Sequence, residues 1–244
     1  MCGRYANSTG TVDLMAEFRA DERHGDDVAP SWNIAPTDPV RAVVERPHRG
    51  EDAPAVRQLR TVRWGLVPSW AKNRNGGARL INARQETVSE KPAFRSAAAR
   101  RRCLLPAAGY YEWQKTERGK QPYFLHSPDG RLAFAGLYEI WRDPAADDDD
   151  PAAWLWTATI ITGPASDTLG EIHDRTPVVV PADRWGEWLD CSADNPAVAA
   201  VLLAGMPEPH LQPRAVSTAV NSVRNDGPEL IEPVLPELEQ RPLF

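Results

Sequence analysis

Cysteine is scarce in this 244-residue chain: Cys2, Cys103 and Cys191 make an odd number, with no C-x-x-C pair and no histidine-rich partner cluster. Neither a disulfide framework nor a zinc site is expected, and no other cofactor is implied. No apolar run approaches the roughly 18 residues of a spanning helix, and MCGRYANSTG lacks the apolar stretch of a signal peptide. A cytoplasmic protein without membrane contact is expected. Lysine is also rare, four of the 28 basic residues, a bias that genome base composition can produce alone, so the position of the arginines has to carry any argument.

Present instead is an ordinary globular balance, 42% hydrophobic and 25% charged, in a length that one core can fill. The net charge of −6 argues against a uniformly cationic coat, but it hides a polarity. Between Arg57 and Arg102 stand twelve basic residues and two acidic ones, Glu86 and Glu90, a band of +10 that leaves −16 for the rest. Such a band reads as a phosphate-binding face or, for Arg95 to Arg102, as a solvated helix face. Interleaved Trp64 and Trp70 favour single-stranded nucleic acid, whose bases stack on aromatics while arginines track phosphates.

Alternating or β-branched runs predict strands near 40–45, 59–67, 78–83, 108–114, 121–126, 132–141, 154–162, 176–180 and 213–217. Helical spacing predicts helices at 12–20, 86–101, 182–190 and 196–204. Strands joined by short turns, such as Pro128-Asp129-Gly130, point to a single α+β domain built on antiparallel sheet. The acidic run Asp147 to Asp150 reads as a solvated loop.

Cys2 directly follows the initiator methionine, which is normally trimmed before a small residue, so the mature chain would begin with a 1,2-aminothiol. An amine of pKa about 7.7–8.0 beside a thiol near 8.5 keeps part of each nucleophile unprotonated at neutral pH. Such a terminus serves acyl transfer, with thiolate as nucleophile and amine as base, or aldehyde capture through an imine that the thiol closes to a thiazolidine. An inert buried cysteine is the plain alternative. Glu112, in Tyr110-Tyr111-Glu112-Trp113, shares a strand face with Tyr110 and should have a raised pKa, unless an arginine pairs with it. His173 lies in a loop before an apolar strand, and Asn82 is the polar residue within Leu80-Ile81-Asn82-Ala83; either can be structural.

Taken in series, these segments resemble the SOS response-associated peptidase (SRAP) family. The resemblance runs through Cys2-Gly3-Arg4-Tyr5, Asn33-Ile34-Ala35-Pro36, Trp64-Gly65-Leu66-Val67-Pro68-Ser69-Trp70, Ile81-Asn82-Ala83-Arg84, Tyr111-Glu112-Trp113 and Ile172-His173-Asp174-Arg175, and continues to Asn221 and about Val234. It implies a domain over 2–234 with a tail at 235–244, and a largely antiparallel, barrel-like β core with peripheral helices. It further implies recognition of abasic sites in single-stranded DNA by a covalent thiazolidine at Cys2, with self-removal of Met1 and abasic-site lyase activity as companions. Carried over by position, Cys2 is the nucleophile, Asn82 holds the linkage, Glu112 is the acid/base, and His173 assists sugar ring-opening or proton transfer. Arg4, Arg84 and Arg175 grip phosphates, while Trp70 and Trp113 offer stacking surface. A monomer at the nucleoid, in contact with replication-associated proteins, is the expected setting. Two rivals remain: a class II glutamine amidotransferase, matching only at Cys-Gly, and a noncatalytic reader of modified DNA that uses the basic face alone.

Overall fold

Strand residues whose alternate side chains all find apolar neighbours dominate the chain. The computed structural model describes residues 2–46, 55–117, 119–147, 149–165 and 172–234, so the tail expected at 235–244 lies outside them. In chain order the strands are β1 (Tyr5–Asn7), β2 (Glu22–His24), β3 (Ser31–Ile34), β4 (Pro39–Arg46), β5 (Val56–Trp64), β6 (Asn82–Arg84), β7 (Arg102–Ala107), β8 (Gly109–Thr116), β9 (Gly119–His126), β10 (Leu132–Arg142), β11 (Trp154–Pro164), β12 (Arg175–Pro177) and β13 (Gln212–Ala215). Helices α1 (Thr11–Phe18) and α2 (Arg95–Arg100) precede two more at Trp185–Leu189 and Pro196–Ala204.

β5, β4, β7, β10 and β11 pair in that order, and a parallel contact of β11 with β5, Thr157 opposite Arg63 and Ala158 opposite Trp64, closes the ring. The result is a mixed five-stranded barrel in an α+β fold. Its interior holds Val40, Ala42, Val44, Val62, Trp64, Cys103, Leu105, Phe134, Ala158 and Ile160. The alternate residues Val43, Leu59, Leu104, Ala135, Leu137 and Ile161 point outward against the helices and their flanking segments. Both faces of β10 are covered, and it reads as a nearly continuous apolar run. A second sheet, ordered β13-β9-β8-β1-β3, lays Tyr5 and Tyr110 against the barrel core and turns Ala6, Tyr111 and Phe124 toward the C-terminal segment.

Two sequence expectations change. The helix expected over 86–101 contracts to Arg95–Arg100, because Pro92 has no amide hydrogen and disfavours helical geometry in the residue before it; after Arg101 the chain forms β7, buried throughout. The strand expected at 78–83 is a 3-10 turn at Arg74–Arg79 followed by β6, because the chain must leave β5 before it meets β11 again.

That departure passes through Gly65, at φ +122°, where an added Cβ would lie 2.6 Å from the Gly77 carbonyl oxygen. Gly65→Ala therefore meets a left-handed backbone and a main-chain clash together, and a loss of about 2–4 kcal/mol is expected in urea unfolding. An unchanged midpoint would mean that the seam does not limit stability.

Candidate active site

The far half of β11 organises the site. There β6 pairs alongside it, with Asn82 opposite Ile160, and β12 pairs on the other edge, with Arg175 opposite Pro164. Asn82 thereby donates from Nδ2 to the Cys2 carbonyl at 2.7 Å, while its buried Oδ1 accepts no hydrogen bond among the described residues. Cys2 is fully buried in the cluster that holds Tyr5, Trp64 and Tyr110. Among the described residues its thiol makes only a long contact, 4.0 Å, to the Arg4 carbonyl. Burial, and after it the charge of Glu112, push the thiol's pKa well above the ordinary range. While the chain carries Met1, Cys2 is thus a neutral thiol beside a carboxyl group.

Glu112 shares the barrel-facing side of β8 with Tyr110, as alternation requires, and is 4% exposed. Burial lifts its pKa to about 7, the direction opposite to the effect of an arginine partner. The Tyr110 hydroxyl lies 3.0 Å from Thr176 Oγ1, which ties β8 to β12 behind the carboxyl. His173 Nδ1 accepts the Arg175 amide hydrogen at 3.0 Å, although Asp174 Oδ1 is 2.9 Å from the same nitrogen. A backbone amide can only donate, so Nδ1 is the acceptor and the neutral ring carries its proton on Nε2. Burial also lowers the histidine pKa, and Asp174 acts electrostatically on both His173 and Glu112.

Cys2, Asn82 and Glu112 thus come together, with His173 on the segment flanking them. The other candidates separate. Arg84 is exposed and Trp70 is 68% exposed. Arg175 forks onto both Glu86 carboxylate oxygens and also reaches the Thr162 carbonyl. Arg4 donates to Asn33 Oδ1 at 2.7 Å and to the Val220 carbonyl at 3.0 Å. Trp113 lies on the opposite face of β8 from Glu112, half-buried, with Nε1 donating to Asn221 Oδ1 at 2.7 Å. The +10 band divides likewise: Arg57 pairs with Glu45, Arg100 with Asp194 and Arg101 with Glu139, and Arg102 is buried on three main-chain carbonyls. Lys72, Arg74, Arg79, Arg84, Lys91 and Arg95 remain exposed.

Sequence reasoning passed over Glu86, Thr176 and Arg63. Glu86 was marked only as one of two acids within the basic band, and it proves to be the partner of Arg175. Arg63 buries Nη1 without a hydrogen-bond partner among the described residues, beside Arg74. Among the described residues no three His, Cys, Asp or Glu side chains are grouped so as to hold a metal ion.

Comparison with known proteins matches residues 1–223 to the family described as SOS response associated peptidase (SRAP). The chain is 35% identical over 235 residues to the abasic site processing protein YoqW of Bacillus subtilis, covering 95% of this chain and 99% of that one. It is 30% identical to the abasic site processing protein YedK of Escherichia coli, covering 96% and 100%, and 33% identical to the abasic site processing protein HMCES of Gallus gallus, covering 96% and 78%. A solved structure from Bacteroides thetaiotaomicron shares the fold with a TM-score of 0.76 at 21% identity, over 96% of this chain and all of that one.

Because the Glu112 pKa rises on folding from 4.5 to about 7, the folded state retains a proton that the unfolded chain has lost. The stabilisation is fully present below pH 4.5 and disappears as pH rises through 7, an effect of roughly 3 kcal/mol. Glu112→Gln should remove this slope, so that the stability difference between variant and parent changes between pH 4.5 and 7.5 in urea titrations. A constant difference would place Glu112 in a water-accessible setting.

Proposed function

The chain belongs to the SRAP family, and on that footing we propose that it captures abasic sites in single-stranded DNA as a covalent thiazolidine at Cys2. The observation that carries this reading is the placement of Cys2 at the start of the chain, held through its own carbonyl by Asn82 and facing a carboxyl that titrates near neutrality. Removal of Met1 exchanges the amide before Cys2 for an amine. The ring-opened deoxyribose presents an aldehyde; the amine adds to its carbon, water leaves, and an imine forms. The thiol then adds to that carbon as its proton passes to the imine nitrogen, which closes the five-membered ring. Glu112, half-protonated near pH 7, can protonate the departing hydroxyl and then accept the thiol proton. The Nε2–H of neutral His173 is a donor suited to the sugar oxygen during ring-opening. Abasic-site lyase activity draws on the same amine and acid/base groups, the amine being available only once Met1 has been removed.

Asn82 acts here by orientation: fixing the Cys2 carbonyl fixes the direction in which the new amine and the thiol project. The exposed cations from Lys72 to Arg95 supply contacts to phosphate, and Trp70 a face for a base. A chain whose contacts address phosphates and base faces has little means of reading sequence.

An uncleavable extension before Cys2 should abolish the denaturation-stable adduct with abasic single-stranded DNA in mass spectrometry while leaving noncovalent binding intact. Cys2→Ser should form only an imine, trappable by borohydride. Stable crosslinking by the extended protein would refute the aminothiol route. Arg84→Ala should weaken noncovalent binding severalfold and flatten its salt dependence, measured by fluorescence anisotropy, without slowing the reaction of Cys2 with a free small aldehyde.

A further inference from the structure

At the opposite end of the barrel from Cys2, two arginines share one indole. The guanidinium of Arg60 lies 4.0 Å from the centroid of Trp156 and that of Arg46 lies 5.4 Å from it. The ring of Tyr138 stacks on the same indole at 5.3 Å and 12°. Like charges held together in a half-buried setting repel one another, and Arg46 disfavours the charged form of Arg60 in addition to its desolvation. Beside them a cavity of about 600 Å³ lies between the ends of β4 and β10 and the segment Leu189–Asp194.

The carboxylates on that cavity each accept a hydrogen bond within the protein on one oxygen. Glu45 pairs with Arg57 at 2.6 Å, Asp194 with Arg100, and Asp190 accepts the Ser192 amide at 2.9 Å. Arg101, also on the wall, pairs with Glu139 at 2.9 Å. Arg46 has no carboxylate partner among the described residues, and the Tyr138 hydroxyl makes no hydrogen bond there. A cation and a hydroxyl donor therefore face a space of ligand size, with Arg60 adding to the field from behind.

We propose that this cavity is a second binding site, for a phosphate monoester of mononucleotide size, with the phosphate on Arg46 and Tyr138 and the hydroxyls directed toward Glu45 and Asp190. Guanidinium forks match phosphate oxygens, a phosphate dianion relieves the Arg46–Arg60 repulsion, and the volume lies within the range of small-ligand pockets. Arg46 and Tyr138 offer contacts for one phosphate, whereas a strand needs a groove along which successive phosphates are met. The site is distinct from the Cys2 centre: Trp156 and Ile160, which pairs with Asn82, are four residues apart on β11, roughly 13 Å, with the packed barrel core between.

The test titrates the full chain with dAMP by calorimetry. Saturable binding is expected, weakened at least tenfold in Arg46→Gln and severalfold in Tyr138→Phe, with adenosine failing to bind. Circular dichroism should show both variants folded, and Arg46→Gln should crosslink abasic DNA at the parent rate, so that failure here is separable from failure of the Cys2 chemistry. Equal dAMP affinity in Arg46→Gln, or equal affinity for adenosine, overturns the site. Displacement of dAMP by an undamaged oligonucleotide, lost in Arg46→Gln, would assign the arginines to a DNA strand and overturn the small-ligand reading.

Discussion

The structure depends on a strand that changes partners halfway. β11 pairs with β10 and β5 over its first part, completing the barrel, and with β12 and β6 over its last. The handover is enforced by hydrogen bonds: Gly65 N–H reaches the Ala158 carbonyl, Ile160 N–H the Ile81 carbonyl, and Val178 N–H the Ile161 carbonyl. An edge strand carrying unmet amide groups would be costly, so β6 and β12 must dock where β5 and β10 diverge. Docking delivers Asn82 on one side and the His173–Arg175 segment on the other. The chemical groups are consequences of closing the barrel.

The N-terminal strand is secured separately. Arg4 bonds Asn33, and the Asn33 amide donates to the carbonyls of Ser222 and Asn225 at 2.9 and 2.7 Å, while the Tyr111 hydroxyl donates to the Trp32 carbonyl at 2.7 Å. One asparagine thus satisfies main-chain groups of a C-terminal segment that has little regular structure to satisfy them, and that segment backs the sheet containing β1. A residue next to a chain end ordinarily frays. Here Cys2 precedes a strand paired on both sides, and its carbonyl is held from β6, so the described chain is tied down from Cys2 onward.

How much of this was legible depended on whether the deciding partner was local. Period-two alternation placed Glu112 with Tyr110 and away from Tyr111 and Trp113, and burial then raised its pKa as expected, because both effects follow from one strand whose two faces pack into different apolar clusters. The helix at 196–204 was read to its ends, with Asn195 capping it and Pro196 at its first position. β1, β2 and β3, three or four residues each, are not among the strands that the sequence predicts. β7 was concealed behind Ala97–Ala99, whose helix-forming tendency extends to a boundary that only the pairing with β10 and β4 draws. The role of Arg175 was out of reach because Glu86 is distant in sequence.

Arginine use explains why the charged band overstated its external face. A guanidinium offers five donors in a planar fork, so Arg102 serves the carbonyls of Ala98, Trp188 and Asp190 at once, and Arg41, 2% exposed, reaches Asp27, Thr61 and Thr11. An ammonium group could not span such sets, which makes internal satisfaction a structural use for an arginine-rich, lysine-poor chain. Within the band, what remains exposed after these assignments is Lys72, Arg74, Arg79, Arg84 and Lys91 in the connection between β5 and α2, with Arg95 at the start of α2; that connection also contains Asn82. The segment that holds the Cys2 carbonyl therefore also carries exposed positive charge, so a polyanion drawn to that surface is brought near Cys2 by the same element.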